Sequence, residues 1–312
     1  MEDIEDGAGA PFGHPVVATL AGAAVLVVGA LLAPMLVPQQ PLGLLLGVGA
    51  GVAVLLWAIG YVVTTRHAGA AWKAGSLGLL VAAGAGSAMI AHAQYETHAR
   101  ADASSFAEVE FGPGGAAQMP AGAAARGPLS RLFAESVAAD AQAQRDFGAE
   151  MAKLGVGNLS SPYLLGLDPK VLSHCEAVDA LEATARAQAD ARAARGKAMA
   201  DALAAARLSD KAKQGIAAMA GAQGDALLAN QRALIGATGE LCRLLARRGW
   251  TNNGGYFGFA SGADAARFRA LTQRQAAIAA EGAQIARAAQ QRMASGRDTV
   301  RDVLSRSIFS GG

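Results

Sequence analysis

The two cysteines of this 312-residue chain, Cys175 and Cys242, are the residues with the clearest chemistry. Helical patterns flank a turn at Leu208 and Ser209, and the cysteines stand at equal distances before and after that turn. Antiparallel helices bring such positions to the same height, so we expect a disulfide, which needs Cα atoms about 4.4–6.8 Å apart. The alternative is two unrelated buried thiols, because free cysteine also behaves as a small hydrophobic residue.

The expected disulfide bears on the compartment of the chain, because disulfides persist outside the reducing cytosol. Lys and Arg around the apolar segments favour the same side. Arg66 and Lys73 lie between the second and third apolar segments, against Arg100 after the third, and an excess of basic residues indicates a cytoplasmic loop. The alanine- and arginine-rich composition suggests a bacterium. We therefore expect a multi-pass protein of the inner (cytoplasmic) membrane with a large periplasmic domain.

A second group of reactive side chains, His92, Glu96 and His98, lies where the third apolar segment ends. Histidine and glutamate are metal ligands, but the spacing places only His92 and Glu96 on one helical face. Ordinary polarity at a membrane interface is therefore the favoured interpretation of this group. We expect no metal ion and no other cofactor.

Motifs of common enzyme classes are absent from the sequence. The chain has no Gly-rich phosphate loop, no HExxH, no CxxC pair and no nucleophile-elbow serine, so we expect no enzymatic activity. A formal net charge of +2 argues against nucleic-acid binding. The charges at Asp190, Arg192, Arg195 and Lys197 are interpreted as a solvated helix face.

Three long runs without charged residues dominate the first third of the chain, at 16–37, 41–63 and 74–93. Each reaches the roughly 20 residues that a helix needs to cross a bilayer; a buried hairpin of a soluble protein is the alternative. Residues 1–15 are acidic and contain no Lys or Arg, which is untypical of a cleavable signal peptide. We expect this segment to be a short cytoplasmic tail and residues 16–93 to be a three-helix transmembrane region.

Small and aromatic residues in these runs indicate how the helices pack. Gly43, Gly47 and Gly51 recur every four residues, a spacing that lets another helix approach closely, either within the chain or from a second copy. Three aromatic residues fall near the loop between the second and third runs, where an aromatic belt is expected at the membrane surface: Trp57, Tyr61 and Trp72.

The remaining sequence predicts a linker followed by four long helices. Glycine, proline and alanine crowd residues 94–128 without a period, although "FAEVEF" alternates like a short strand. Apolar residues at helical spacing then cover 129–154, 169–207, 210–248 and 263–308. Asp168 is the expected N-cap of the second helix, and Ser209 or Asp210 that of the third. The predicted fold is all-α: three transmembrane helices followed by an elongated antiparallel four-helix bundle over 129–312; a continuous coiled coil is the alternative.

The stretch "WTNNGGYFGF", residues 250–259, contains four aromatic residues together with Asn252, Asn253 and three glycines. Loops on rigid scaffolds often carry binding sites, whereas a cap over the bundle core is the alternative interpretation. Helices of this length place the stretch at the end of the bundle far from the membrane, beside residues 157–168, about 50 Å from the base. The predicted partner-binding residues are Tyr163, Trp250, Asn252, Asn253, Tyr256, Phe257 and Phe259.

Together these features favour an integral membrane scaffold or assembly component. It would lie in the lipid bilayer and present its helical bundle outside the cytoplasm to a protein partner in the membrane or envelope, or to a second copy of the chain. Two alternatives stay open. One is a sensory or ligand-binding ectodomain that acts through a partner subunit, and the other is an accessory subunit of a channel or transporter, which uncharged spans make less favoured.

Overall fold

The computed structural model describes residues 15–37, 40–65, 69–112, 116–221 and 224–309. Helices account for 84% of this structure, so the predicted all-α class is confirmed. The chain divides into two compact units, Met1–Arg100 and Ala101–Gly312.

The first unit contains the apolar helices. They are α1 (Pro15–Leu36), α2 (Leu42–Gly60), which continues as a π-helical turn at Tyr61–Thr65, and α3 (Ala70–Ala107), whose last residues belong to the second unit. With mean hydropathies of 2.5, 2.4 and 1.6 over their spanning windows, all three are long and apolar enough to cross a membrane. The prediction of three candidate membrane-spanning helices is therefore confirmed.

Helices α2 and α3 approach each other through a pair of glycines, Gly49 and Gly84. A Cβ atom added at Gly49 would lie 2.6 Å from the carbonyl oxygen of Gly84, which no side chain tolerates. In contrast, a Cβ added at any residue of the predicted row would meet nothing within 4 Å in the described part of the chain: Gly43, Gly47 and Gly51. Each residue turns a helix by about 100°, so this row faces away from Gly49 and contacts neither neighbouring helix.

The predicted aromatic residues gather where α2 ends and α3 begins. The indole nitrogen of Trp57 donates to the Lys73 carbonyl and the Ser76 hydroxyl, both at 3.2 Å. Trp57 also stacks on Tyr61, and the Lys73 ammonium lies 5.3 Å from the centre of the Tyr61 ring. Trp72 is exposed. Trp57 and Tyr61, at the end of α2, thus contact the first turns of α3.

The described residues of the segment expected to be a linker, 94–112 and 116–128, include helix, strands and a 3-10 turn. Helix α3 continues to Ala107, strand β1 (Glu110–Phe111) pairs with β2 (Ala117–Gln118), and Ala123–Ala125 forms a 3-10 turn. Of the stretch expected to be a strand, Phe106 is helical. Buried apolar residues explain the difference, because they anchor this glycine-rich segment on the core of the second unit: Ala103, Phe106, Val109 and Ala117.

An internal cap joins the end of α3 to α4 (Pro128–Lys153). The carboxylate of Asp102, which is only 2% exposed, accepts hydrogen bonds from the backbone nitrogens of Leu129 (2.9 Å) and Ser130 (2.8 Å). Backbone N–H groups in the first turn of a helix have no acceptor within the helix itself. Gly127 precedes α4, and a Cβ atom there would collide with Asp102. The N-cap of α4 is therefore supplied by a distant residue.

Arg126 forms a second link between the end of α3 and the start of α4, at the protein surface. Its guanidinium donates a hydrogen bond to the Glu108 carboxylate, and this bond raises the pKa of Arg126 above its ordinary value. The pair ties the chain that leads into α4 back to the end of α3.

The remaining helices follow the predicted order with two changes. They are α5 (Pro162–Leu167), α6 (Cys175–Ala205), α7 (Asp210–Ala220), α8 (Gly224–Ala246) and α9 (Gly262–Phe309). Asp168 does not cap α6, because a 3-10 turn at Lys170–Ser173 intervenes and Asp168 ends α5 instead. The expected third helix is two helices, and Ser209 caps the first of them by accepting from the Ala212 nitrogen at 3.3 Å.

The helices of the second unit pack against one another in a defined set of pairs. Helix α6 contacts α4 and α8, and α9 contacts both α7 and α8. The early part of α9 meets α8, where the Asn230 amide donates to the Ile278 carbonyl at 2.9 Å. The late part meets α7, where Lys211 lies 3.5 Å from Asp302. One 48-residue helix thus supports two shorter ones placed end to end along it.

The predicted disulfide is present. Cys175 at the start of α6 is bonded to Cys242 near the end of α8, with Cα atoms 5.6 Å apart. Both residues are buried in one core cluster, whose other buried members are Leu159, Leu165, Val171, Val178, Leu241, Leu244, Leu245 and Leu271. The bond therefore fixes α6 and α8 relative to each other. It lies under the chain segments that follow α4 and α8.

Candidate partner-binding surface

The aromatic stretch after α8 is a β-hairpin rather than an irregular loop. Strand β3 (Trp250–Asn253) pairs with β4 (Tyr256–Phe259), so that Trp250 lies opposite Phe259 and Asn253 opposite Tyr256. The turn consists of Gly254 and Gly255, with φ angles of +60° and +92°. Both angles lie in the left-handed region that favours glycine. The Asn252 side chain accepts from the Gly255 nitrogen at 2.9 Å and closes the turn.

One face of this hairpin covers the core cluster that contains the disulfide. The Trp250 and Phe257 rings meet edge to face at 5.1 Å, and Phe257 and Phe259 both contact Phe268 of α9, at 5.0 and 5.2 Å between ring centres. The Trp250 indole donates to the Leu245 carbonyl at 2.9 Å, which satisfies an acceptor at the end of α8. These three hairpin aromatics close the end of the core.

The short helix α5 lies beside β3. Ser161 caps it by accepting from the Leu164 nitrogen, while Pro162 and Leu165 are buried underneath. Residues three and four positions apart share a helical face. The residues that do not share the face of Pro162 and Leu165 therefore lie together on the side of α5 that faces solvent. That side carries Tyr163, Leu164 and Leu167, which are 60%, 43% and 68% exposed.

Tyr256, at the turn of the hairpin, is 79% exposed. Among the side chains of the second unit whose exposure the structure describes, which end at residue 306, the exposed large apolar ones all lie in α5 or this hairpin. We call them the tip surface: Tyr163, Leu164, Leu167 and Tyr256. An apolar group concentrated at one place on an otherwise polar surface is typical of an interaction site.

The structure divides the predicted partner-binding residues into two groups. Trp250, Phe257 and Phe259 pack on the core, as the alternative interpretation of a cap expected. Tyr163 and Tyr256 are exposed, and so are Asn252 and Asn253 at the turn. Two exposed residues were not predicted, Leu164 and Leu167. The sequence contains a signal for them, because a Ser-Pro pair is typical of the start of a helix. Both leucines then fall on the face of that helix that is not buried.

Charged residues stand close in sequence to α5 and to the hairpin. Arg247 lies 3.8 Å from Asp264 at the start of α9, and Asp168 accepts from the Lys170 nitrogen at 3.3 Å. Arg248, which follows α8, has a φ angle of +54°. A positive φ is uncommon for a residue with a side chain. Here it turns the backbone between the end of α8 and the start of β3.

The group of side chains at the end of the third apolar segment is only partly brought together. Nε2 of His92 lies 3.6 Å from Oε1 of Glu96, while His98 is exposed. Throughout the part of the chain that the structure describes, no three His, Cys, Asp or Glu side chains come close enough to hold a metal ion.

The predicted solvated face of α6 is solvated only in part. Asp190 is exposed, and Lys197 pairs with Asp201 on the same helix. Arg192 and Arg195 are not free in solvent. Both guanidinium groups reach Asp140 of α4, at 3.2 and 2.6 Å, because the crossing of α4 and α6 brings that carboxylate between them.

Comparison with known proteins gives no relative: no family model, no curated protein and no solved structure matches this chain.

Proposed function

We propose that this protein is a non-enzymatic scaffold of the bacterial inner membrane that holds a protein partner of the envelope on its tip surface. The observation that carries the proposal is the grouping of exposed apolar residues of the second unit at the tip surface. Tyrosine and leucine side chains exposed together favour burial against a partner, and tyrosine is frequent among the residues that dominate binding energy.

In this proposal the second unit is an elongated antiparallel four-helix bundle in the periplasm, with α7 and α8 together as its third helix. The buried disulfide supports this compartment, since such bonds persist in oxidising environments. Arg66 and Lys73 between the second and third apolar helices support the same orientation.

Site-specific photo-crosslinking in the native membrane tests the partner. A photoreactive phenylalanine analogue placed at Tyr163, Leu167 or Tyr256 should yield the same discrete protein adduct from each position. The analogue at Gln214, which is exposed on α7, serves as the matched control and should give none. Adducts with many proteins, or with lipid alone, would contradict a dedicated protein partner.

A double substitution separates partner binding from folding. Tyr163→Ala combined with Leu167→Ala removes exposed apolar area without touching the core, so the adduct formed at Tyr256 should disappear while the melting temperature stays within a few degrees. An adduct that survives this change would show that the tip surface does not hold the partner.

Accessibility to a membrane-impermeant thiol reagent tests the orientation. In a background with both native cysteines replaced, a single cysteine in place of Gln142 on α4, an exposed residue, should react in intact spheroplasts. A cysteine in place of Gly69 should react only after lysis. The reverse pattern would place the bundle in the cytoplasm.

A second function, a ligand-binding ectodomain, is favoured by one observation that does not involve the tip surface. The helices of the second unit surround a cavity of about 480 Å³, which falls in the size range of small-molecule sites.

A further inference from the structure

The cavity lies between α4, α6, α7, α8 and α9, at the level where α7 gives way to α8. Its apolar lining combines an aromatic ring with three flexible thioethers: Phe133, Val137, Met199, Met219, Ile285 and Met293. Methionine sulfur makes favourable contacts with aromatic rings and adapts to irregular shapes. This lining therefore suits a flat aromatic group of limited size.

The polar side of the same cavity is positively charged. Among the described residues that line it, three are arginines, Arg192, Arg195 and Arg287, and Asp140 is the acidic one. Since Asp140 pairs with both Arg192 and Arg195, the cluster retains net positive charge. A charge beside an apolar cavity favours a ligand that supplies the opposite charge, because a paired charge is less costly to bury.

Unused hydrogen-bond donors point to the form of that charge. Arg192 binds Asp140 through Nε, and in the described structure its two terminal nitrogens have no hydrogen-bond partner. The Arg192 side chain is only 18% exposed. Nε of Arg195 is buried and also lacks a partner there. A guanidinium presents its donors as a planar fork, which matches the two oxygens of a carboxylate.

We infer that this cavity binds an aromatic monocarboxylate, with the ring among the methionines and the carboxylate at Arg192. This inference is independent of the partner proposed for the tip surface, which uses other residues at a different core cluster.

Filling the cavity without disturbing the helix tests the site. Gly196 of α6 lines the cavity, and a Cβ atom added there meets nothing within 4 Å. Gly196→Leu should therefore fold, since leucine is a better helix former than glycine, and occupy the ligand's space. Gly148→Leu is the matched control, because Gly148 of α4 is equally open but outside the cavity.

Binding of naphthalene-2-carboxylate to the full chain in lipid nanodiscs is measured by calorimetry, with empty nanodiscs subtracted. The native chain and Gly148→Leu should bind equally, and Gly196→Leu should bind at least tenfold more weakly with an unchanged or higher melting temperature. Equal binding by all three proteins, or no binding to the native chain at millimolar concentration, would overturn the inference.

A second pair of variants tests the charge. Arg192→Met keeps most of the side-chain length but removes the fork, and should weaken binding at least tenfold. Arg186→Met removes an exposed arginine of the same helix, outside the cavity, and should leave binding unchanged. The neutral analogue 2-naphthalenemethanol should bind the native chain at least tenfold more weakly than the carboxylate. Equal binding of alcohol and carboxylate would refute the role of Arg192.

Discussion

The closest approach of α7 to α9 provides the sharpest test of the packing. A Cβ atom added at Gly215 would lie 2.8 Å from the Gly296 carbonyl oxygen and 2.8 Å from Cγ2 of Val300. Ordinary contact begins at 3.4 Å, so Gly215→Ala must separate the two helices by about 0.6 Å. Neither obstacle is the end of a flexible side chain, because one is backbone and the other belongs to a fully buried valine.

The magnitude follows from two opposing effects. Overpacking of a well-packed core by a methyl group costs about 1–3 kcal/mol. Replacing a helical glycine by alanine gains about 0.5–1 kcal/mol. Since Ile216, Met219 and Val300 are buried around the contact, the strain cannot be relieved at the surface. We expect Gly215→Ala to lower the free energy of unfolding by about 1 kcal/mol, and by no more than about 2.5 kcal/mol.

Denaturant titration of the full chain in detergent measures this change. Replacing Trp57 and Trp72 by phenylalanine leaves Trp250 as the remaining tryptophan of three, so its fluorescence reports the second unit alone. Gly148→Ala is the control, because its Cβ meets nothing within 4 Å, and it should raise the free energy of unfolding by about 0.5–1 kcal/mol. If Gly215→Ala stabilises the protein as much as the control, the close contact of α7 and α9 is wrong.

Further stability predictions concern the caps, the disulfide and the hairpin, measured by the same titration; Trp250→Ala, which removes the fluorescent probe, is followed by circular dichroism instead. Reducing the disulfide, which closes a loop of 67 residues, should cost about 4 kcal/mol in the chain-entropy model; an unchanged midpoint would contradict it. Asp102→Ala leaves two buried backbone donors unsatisfied and should cost about 2–3 kcal/mol, whereas a loss below 1 kcal/mol would show that water replaces the carboxylate. Arg248→Gly should stabilise by about 1 kcal/mol, because glycine adopts positive φ without strain. Trp250→Ala should cost about 2–4 kcal/mol and Tyr256→Ala less than 0.5 kcal/mol; equal losses would contradict the division of the hairpin into a buried and an exposed face.

Local and periodic signals made much of the fold predictable. Uncharged runs of sufficient length identified the three apolar helices, and the apolar spacing of 129–154 and 263–308 matches α4 and α9 within one residue at each end. The disulfide could be predicted because the equal spacing of Cys175 and Cys242 about the turn is preserved when the helices pack.

Features that depend on distant contacts could not be predicted in this way. Asp102 caps a helix that begins 26 positions later, and no local motif links the two. Phe106, near the end of α3, and Val109, just after it, are buried because they pack on a core formed by residues far along the chain. The hairpin is a different case, because two adjacent glycines between aromatic residues are a local hairpin signal, and the prediction of a loop did not use it. At the candidate site, aromatic content alone did not distinguish Trp250, which is packed inward, from Tyr256.

The interruption between α7 and α8 has a consequence for folding cooperativity. Helix α7 has 11 residues, and isolated helices of this length are marginal in water. Its helicity therefore depends on the support of α9, so that displacement of α7 would melt it rather than move it as a rod. Met219, Ala220 and Gly221, at the end of this helix, form part of the cavity wall. A molecule held in the cavity would therefore add to the stability of the folded form of α7 by mass action.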